Sequence, residues 1–303
     1  MTVVSAGTPL QALVREHEER LRAAGVDSPD RDALALACHA LGLSPLGVRT
    51  ASAEQIAPHA LGRLEELVAR RGERVPLQHL TGEAGFRALV LECRPGVFVP
   101  RAETEVLAGR AIDLARSAVA ERGRAVVAEP CTGSGAVALA VAAEVVGVQV
   151  MATDLSRDAV TLAGRNLARV AAEPGIARGS TCSFAVGDLL EPLPADLRGR
   201  LDVVVANPPY LTESEVAAAA PEVRDHDPAA ALIAAEEGNA IIDLLLADGL
   251  RWLRPGGALA LEIPEARAQR HLEAARSAGY DDADLIDDLT GRERVLVART
   301  AVR

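Results

Sequence analysis

Hydrophobic and polar positions follow two different rhythms along the chain. In residues 8–80 the rhythm is helical throughout: LQALVREHEERLRAAG places Leu10, Leu13, Val14 and Leu21 near one face and stops at Gly25. SPDRDALALACHALG opens with Ser28 or Asp30 as a cap and Pro29 near the first turn, and SAEQIAPHALGRLEELVARRGERVP adds a third helix and a fourth. His17, His39 and His59 stand alone in these helices and read as packing or surface residues. This stretch carries no catalytic pattern and reads as a recognition module or cap.

From residue 81 the rhythm changes. FRALVLEC predicts a strand, and VFVPRAETEVLAGRAIDLARSAV passes from strand to helix. Alternation follows: AVVAE strand, SGAVALAVAAEV helix, VQVMAT strand, SRDAVTLAGRNLARVA helix, then the strands CSFAVG and LDVVVA. A long helix is expected around 236–253, then an ALALEI strand, a helix near 265–277 and a final ERVLVAR strand. Strands alternating with helices imply an α/β fold with a doubly wound parallel sheet. In such sheets ligands bind beyond the carboxyl ends of the strands, where the winding reverses. The expected domains are a helical bundle over 1–80, a linker hairpin and helix over 81–123, and the α/β domain over 124–303.

Length and charge sharpen this picture. The 303 residues allow two domains, and with 49% hydrophobic and 25% charged residues the chain is an ordinary folded one. Aromatics are only 2%, so the core must be aliphatic. Lysine is absent; all 32 basic residues are arginine. The formal charge is −11, with 9 arginines against 10 acids in residues 1–80 and 23 against 33 thereafter. A duplex binder needs a basic footprint, so the charge argues against direct nucleic-acid binding. Cys38, Cys93, Cys131 and Cys182 have no zinc spacing, so no metal is expected and reduced thiols in a cytoplasm fit best. The first residues lack a signal-peptide pattern, and no apolar run reaches membrane-spanning length.

Two loops carry the candidate chemistry. At the end of the first strand of the α/β alternation, Glu129-Pro-Cys-Thr-Gly133-Ser-Gly135 runs straight into a helix. Glycines there permit a tight turn and close backbone approach, and the helix N-terminus offers free N–H groups. With Ala138 they fit GxGxxA, and Asp154 sits 19 residues past Gly135, where an acid accepts hydrogen bonds from a ribose. The pattern points to an adenosine-containing cofactor without choosing between a nicotinamide dinucleotide and S-adenosylmethionine. Asp188, after the third strand, stands where an acid could take an adenine amino group; a helix cap explains it equally well.

The second loop chooses. The buried strand 202–206 ends in Asn207-Pro208-Pro209-Tyr210. Prolines lack N–H groups, so the turn presents acceptors without competing donors, beside a flat ring. That assembly suits a planar NH2 group. Accepting both of its hydrogens from Asn207 Oδ1 and the Pro208 carbonyl would aim the nitrogen lone pair at an electrophile and stabilise charge developing on nitrogen. Stacking on Tyr210 would fix its plane.

NPPY, FVPRAETEVL and the TGSG loop together resemble the HemK/PrmC peptide chain release factor N5-glutamine methyltransferases, and the resemblance extends over PLQHLTGEAGF (76–86), ATDLSRDAVTLAGRN, HDPAAALIAAEEGNAII, LRPGGALALEI and TGRERVLVAR. It implies a seven-stranded Rossmann-like methyltransferase sheet, S-adenosylmethionine as cofactor and release factors as the protein partner, gripped in part by the N-terminal helices. The cofactor would lie against Glu129, Thr132, Gly133, Gly135, Asp154, Leu155, Asp188, Leu189 and Asn207, with Gly133 and Gly135 facing its methionine part. Asn207, Pro208 and Tyr210 would be catalytic; Pro209, Arg101, Glu103 and Thr104 join them in holding the substrate, and Phe98 lines the cavity. The pattern departs at Glu129 (usually Asp), Cys131 (usually Gly), Ala102 (usually Pro), His79 (usually Tyr) and Pro264 (usually Gly). A cysteine at 131 costs of order 1 kcal/mol if φ there is positive. These departures keep two alternatives open: an N-methyltransferase for another amide or exocyclic amine, and a non-catalytic cofactor-binding paralogue.

Overall fold

The computed structural model describes residues 9–172 and 175–302; residues 1–8, with which the expected N-terminal domain begins, and Arg303 lie outside the described residues. The chain divides into two units, Met1–Glu83 with Ala220–His226, and Ala84–Ala219 with Asp227–Arg303.

The first unit is helical: α1 (Leu10–Ala23), α2 (Pro29–Leu41), α3 (Pro45–Thr50), α4 (Pro58–Gly72) and α5 (Leu77–Thr81). Leu10, Leu13 and Leu21 of α1 pack with Leu36 of α2 and with Leu64 and Val68 of α4, the stripes expected from the helical rhythm. The short helix Pro221–Arg224 belongs to this unit despite its distance in sequence. Charge ties it in. The buried Arg71 donates to Asp32 and to Glu222, both at 2.7 Å, while Arg74 donates through both nitrogens of its fork to the two Glu222 oxygens, each at 2.7 Å.

The second unit carries a hairpin, β1 (Glu83–Phe86) and β2 (Leu89–Glu92), then α6 (Thr104–Arg122) and a seven-stranded sheet. Its strands are β3 (Ala125–Pro130), β4 (Val148–Asp154), β5 (Thr181–Val186), β6 (Leu201–Ala206), β7 (Leu253–Glu262), β8 (Asp282–Asp287) and β9 (Glu293–Arg299), in the order β5-β4-β3-β6-β7-β9-β8. Neighbours from β5 to β7 run parallel; β9 is antiparallel to both β7 and β8. Residues alternate between two cores. Val127, Val203, Val205, Ala258 and Ala260 face α6 and α7 (Ala136–Glu144), whereas Ala128, Val204, Ala206, Leu259 and Leu261 face the helices Ala240–Trp252 and Ala268–Ala278. Burial on both faces explains the nearly unbroken hydrophobic runs of the central strands. The helix Arg157–Ala172 follows β4 as expected.

Some expectations are corrected. FRALVLEC is not one strand but the two arms of a hairpin, with Arg87 at φ 52 in its turn. VFVP forms no strand; it is bracketed by Pro95 and Pro100, and Val97 instead packs on Ala159 and Leu162. The long helix begins at Ala240 rather than near 236, because Glu236, Glu237 and Gly238 all have positive φ. The strand β8 had no counterpart among the expected elements: acids at Asp282, Asp284 and Asp287 mask an edge strand with little to bury. Among the described residues no helix is long and apolar enough to cross a membrane.

Candidate active site

The register of the sheet lines up the two candidate loops. β3 pairs β4 with Pro130 opposite Thr153, β3 pairs β6 with Ala128 opposite Val204, and β6 pairs β7 with Ala206 opposite Leu261. Continuing these registers by a few residues sets Asp154, Cys131, Asn207 and Glu262 in one row across four strand ends. Strands in a sheet lie ~4.8 Å apart, so the row is contiguous. It crosses the β3–β6 boundary, where the winding of the sheet reverses.

The glycine loop occupies one half of the row. Gly133 and Gly135 have φ of 56 and 84, conformations that favour glycine. A Cβ at Gly133 would meet open space, whereas one at Gly135 would press on Ala163 and Phe184 at 3.1 Å. Gly133 is therefore the more open approach to the loop, and Gly135 is required by packing as well as by φ. Cys131 does sit at positive φ, 59, so the strain expected for a side chain there is present. Burial pushes its thiol pKa upward, with Asp154 and Glu129 adding in the same direction. Asp154 braces the loop: one oxygen accepts the Gly133 N–H at 2.8 Å, the other the Ser156 N–H at 2.9 Å.

Glu129 is buried beneath the loop. Its Oε2 accepts the Thr132 hydroxyl at 2.7 Å and the Ala138 N–H at 2.8 Å. Burial outweighs these bonds and pushes its pKa up to about 8. The Gly187 N–H donates to the Asp154 carbonyl, and the Thr153 hydroxyl to the carbonyl of Leu189, which has φ 41. Glu129, Thr132, Gly133, Gly135, Asp154 and Leu189 thus form one hydrogen-bonded and packed set. Asp188 is exposed beside Leu189, and Leu155 follows Asp154 with 74% of its surface exposed. An exposed leucine beside an acid and an open glycine suits a ligand with an apolar ring and polar hydroxyls, so these residues fit an adenosine-containing cofactor.

Asn207-Pro-Pro-Tyr occupies the other half. Asn207 shares a face with Glu262 and with α6, whose first residue is Thr104. The Asn207 Nδ2 donates to Thr104 Oγ1 at 3.1 Å, and Thr104 Oγ1 donates to Glu262 Oε2 at 2.8 Å. The Tyr210 hydroxyl donates to the other carboxylate oxygen, Oε1, at 3.1 Å. Burial raises the pKa of both Glu262 and Tyr210. The Tyr210 carbonyl accepts from Arg267 Nη2 at 2.7 Å, and Arg267 also pairs with Glu215 at 2.8 Å, holding that carboxyl down at about 2. Pro208 is buried and Pro209 half-buried.

The remaining candidates make other contacts. Arg101 pairs with Asp227 at 2.5 Å and lies over the Phe98 ring, 5.2 Å from its centre. Glu103 is exposed, 3.9 Å from Arg292. Sequence reasoning passed over Glu262, Arg267, Gly238 and Asp227. Only Glu262 left a signal, a carboxylate closing the apolar run LALEI at a strand end.

Comparison with known proteins identifies the family. Residues 12–82 match the PrmC N-terminal domain and residues 94–223 the methyltransferase small domain. The release factor glutamine methyltransferase of Streptomyces coelicolor is 41% identical over 97% of this chain and 99% of its own. That of Deinococcus radiodurans is 40% identical over 96% and 99%. The crystal structure of a release factor-specific protein-(glutamine-N5) methyltransferase from Alicyclobacillus acidocaldarius matches at TM-score 0.38 and 22% identity, covering 67% of this chain and 94% of that one. With two relatives this similar end to end, the chain belongs to the release factor glutamine methyltransferase family.

Proposed function

We propose that the chain methylates the side-chain amide nitrogen of a protein glutamine, the one in the Gly-Gly-Gln loop of peptide chain release factors, using S-adenosylmethionine. The observation that carries this reading is the shared row: the Asn207-Pro-Pro-Tyr corner ends a strand hydrogen-bonded to the strand that ends in the glycine loop. Gly133, Asp154, Leu155, Asp188 and Leu189 would hold the cofactor, with Glu129 and Thr132 shaping the loop from below. When bound, the cofactor supplies an electrophilic methyl group on a positively charged sulfur.

The chain's own residues prepare the acceptor. An amide nitrogen is a poor nucleophile because its lone pair is delocalised into the carbonyl. Asn207 Oδ1 and the Pro208 carbonyl accept its two hydrogens, orient the lone pair and stabilise the positive charge that grows on nitrogen. The Tyr210 ring holds the amide plane. The N-methylated nitrogen is strongly acidic and gives its proton to water, so the site needs no strong base before transfer.

The test uses purified release factor, S-adenosylmethionine and mass spectrometry of the peptide containing Gly-Gly-Gln. Gain of one methyl on that glutamine supports the reading; labelling of a different polypeptide in a whole-cell extract, with the release factor unmodified, rejects the target. Asn207→Ala should lower kcat by at least about 100-fold with cofactor Kd near wild type. Asp154→Ala should weaken cofactor binding first. Equal loss of cofactor binding in both variants would overturn this division of labour.

A further inference from the structure

The buried carboxylate at the end of β7, Glu262, has both oxygens committed, one to the first residue of α6 and one to the last residue of the corner. Oε2 accepts the Thr104 hydroxyl and Oε1 the Tyr210 hydroxyl. A hydroxyl has one hydrogen. Once Thr104 gives its hydrogen to Glu262, only lone pairs remain on Oγ1, and that atom can face only a donor. The Asn207 amide has one donor edge and one acceptor edge, nearly identical in shape. With Nδ2 toward Thr104 at 3.1 Å the contact is a hydrogen bond; turned over, Oδ1 would meet an oxygen with no hydrogen to offer.

We propose that Glu262 is a positioning residue for methyl transfer, setting through Thr104 which edge of the Asn207 amide faces the substrate, and anchoring the Tyr210 ring with its second oxygen. This deepens the amide-methylation reading above and rests on it. That reading needs Oδ1, not Nδ2, turned toward the substrate NH2, because two NH2 groups cannot hydrogen-bond to each other in that role. Nothing in Asn207-Pro-Pro-Tyr itself decides the matter, since the prolines supply no N–H to hold Oδ1 back. The decision comes from a carboxylate 55 residues away in sequence, brought alongside by the Ala206–Leu261 register. Thr104 sits at the start of α6, and a helix of nineteen residues packed on the sheet holds its hydroxyl in place.

The experiment compares Thr104→Val, Thr104→Ser, Glu262→Gln and Asn207→Ala in full-length protein, measuring kcat and KM for release factor methylation and cofactor Kd by calorimetry. Valine keeps the shape of threonine and removes the hydroxyl; serine keeps the hydroxyl. Thr104→Val should lower kcat by about 10- to 100-fold with cofactor Kd within about twofold of wild type, and Thr104→Ser should recover to within about threefold. Glu262→Gln, whose one remaining oxygen can still accept the Thr104 hydroxyl while its NH2 turns to Tyr210, should fall between the two. A packing role would instead be disturbed by serine, which loses the methyl group, and spared by valine. If Thr104→Val keeps wild-type kcat while Asn207→Ala abolishes it, the relay is wrong and the amide site stands. If Asn207→Ala retains activity, the amide site itself fails. Melting temperatures of the Thr104 variants close to wild type ensure that the comparison is made on folded protein.

Discussion

Replacing Glu129 by glutamine should make the protein more stable, and increasingly so as pH rises. Glu129 is buried under the glycine loop, and burial moves its pKa from 4.5 up to about 8 in the folded chain. Between those values the folded state keeps the proton that the unfolded state releases. The unfolded state then binds fewer protons, so wild-type stability falls with pH across the window, and the contribution present below about pH 4.5 is lost as pH approaches 8. Glutamine has no proton to lose, and its side-chain oxygen can still accept the Thr132 hydroxyl and the Ala138 N–H now received by Glu129 Oε2. One full proton of difference corresponds to about 1.4 kcal/mol per pH unit, or about 2–3 kcal/mol from pH 5.5 to 7.5. Comparing Glu129→Gln with wild type at each pH cancels every other titrating group. Urea unfolding followed by the fluorescence of Trp252 reads this directly, since it is the one tryptophan and is buried in the sheet-bearing unit. A difference that stays flat with pH would show that Glu129 is ionised in the folded chain and refute the reasoning. A difference that grows in favour of wild type would mean the two hydrogen bonds outweigh burial.

Other expectations follow from single contacts. Gly238→Ala would place a Cβ 2.3 Å from the Tyr210 carbonyl oxygen at φ 82; because that neighbour is backbone, the corner must shift, and kcat should fall by at least about tenfold with cofactor Kd unchanged. Steady-state kinetics beside calorimetry checks this, and unaltered kcat would free the corner from its dependence on Gly238. Glu222→Ala removes the shared partner of Arg71 and Arg74 and should destabilise the helical unit by about 3 kcal/mol, read as faster hydrogen exchange in α2 and α4. Exchange at the wild-type rate would show that Asp32 alone suffices for Arg71.

The loops of the site were readable because their signal lies in consecutive residues. Glycines leading into a helix and prolines after a buried strand restrict the backbone by themselves, so Gly133, Gly135 and Asn207 to Tyr210 stand out in one sequence. Glu262 did not, because its meaning depends on β7 lying next to β6 and on which residue of each strand shares a face. A carboxylate ending an apolar strand says only that something must be hydrogen-bonded to it; the partners Thr104 and Tyr210 come from 158 and 52 residues away. The central strands were visible because both faces are buried and their runs are almost wholly apolar, whereas β8 at the sheet edge buries only part of one face and its acids hide the period. Val97 and Val99 misled in the opposite direction, being buried without a strand to pair with.

The assignment of Ala220–His226 to the helical unit has a consequence for how the protein is made. Arg74 leaves the ribosome 148 residues before Glu222, the acid that grips it. At synthesis rates of roughly 5–20 residues per second the nascent helices wait roughly 7–30 s for that partner. During this interval Arg74 lacks the acid that grips it and Arg71 has Asp32 but not Glu222, so α4 ends without its finished set of ion pairs. A fragment cut after Glu83 would stay in that unfinished condition permanently, so an isolated recognition module should be built with residues 220–226 joined back on.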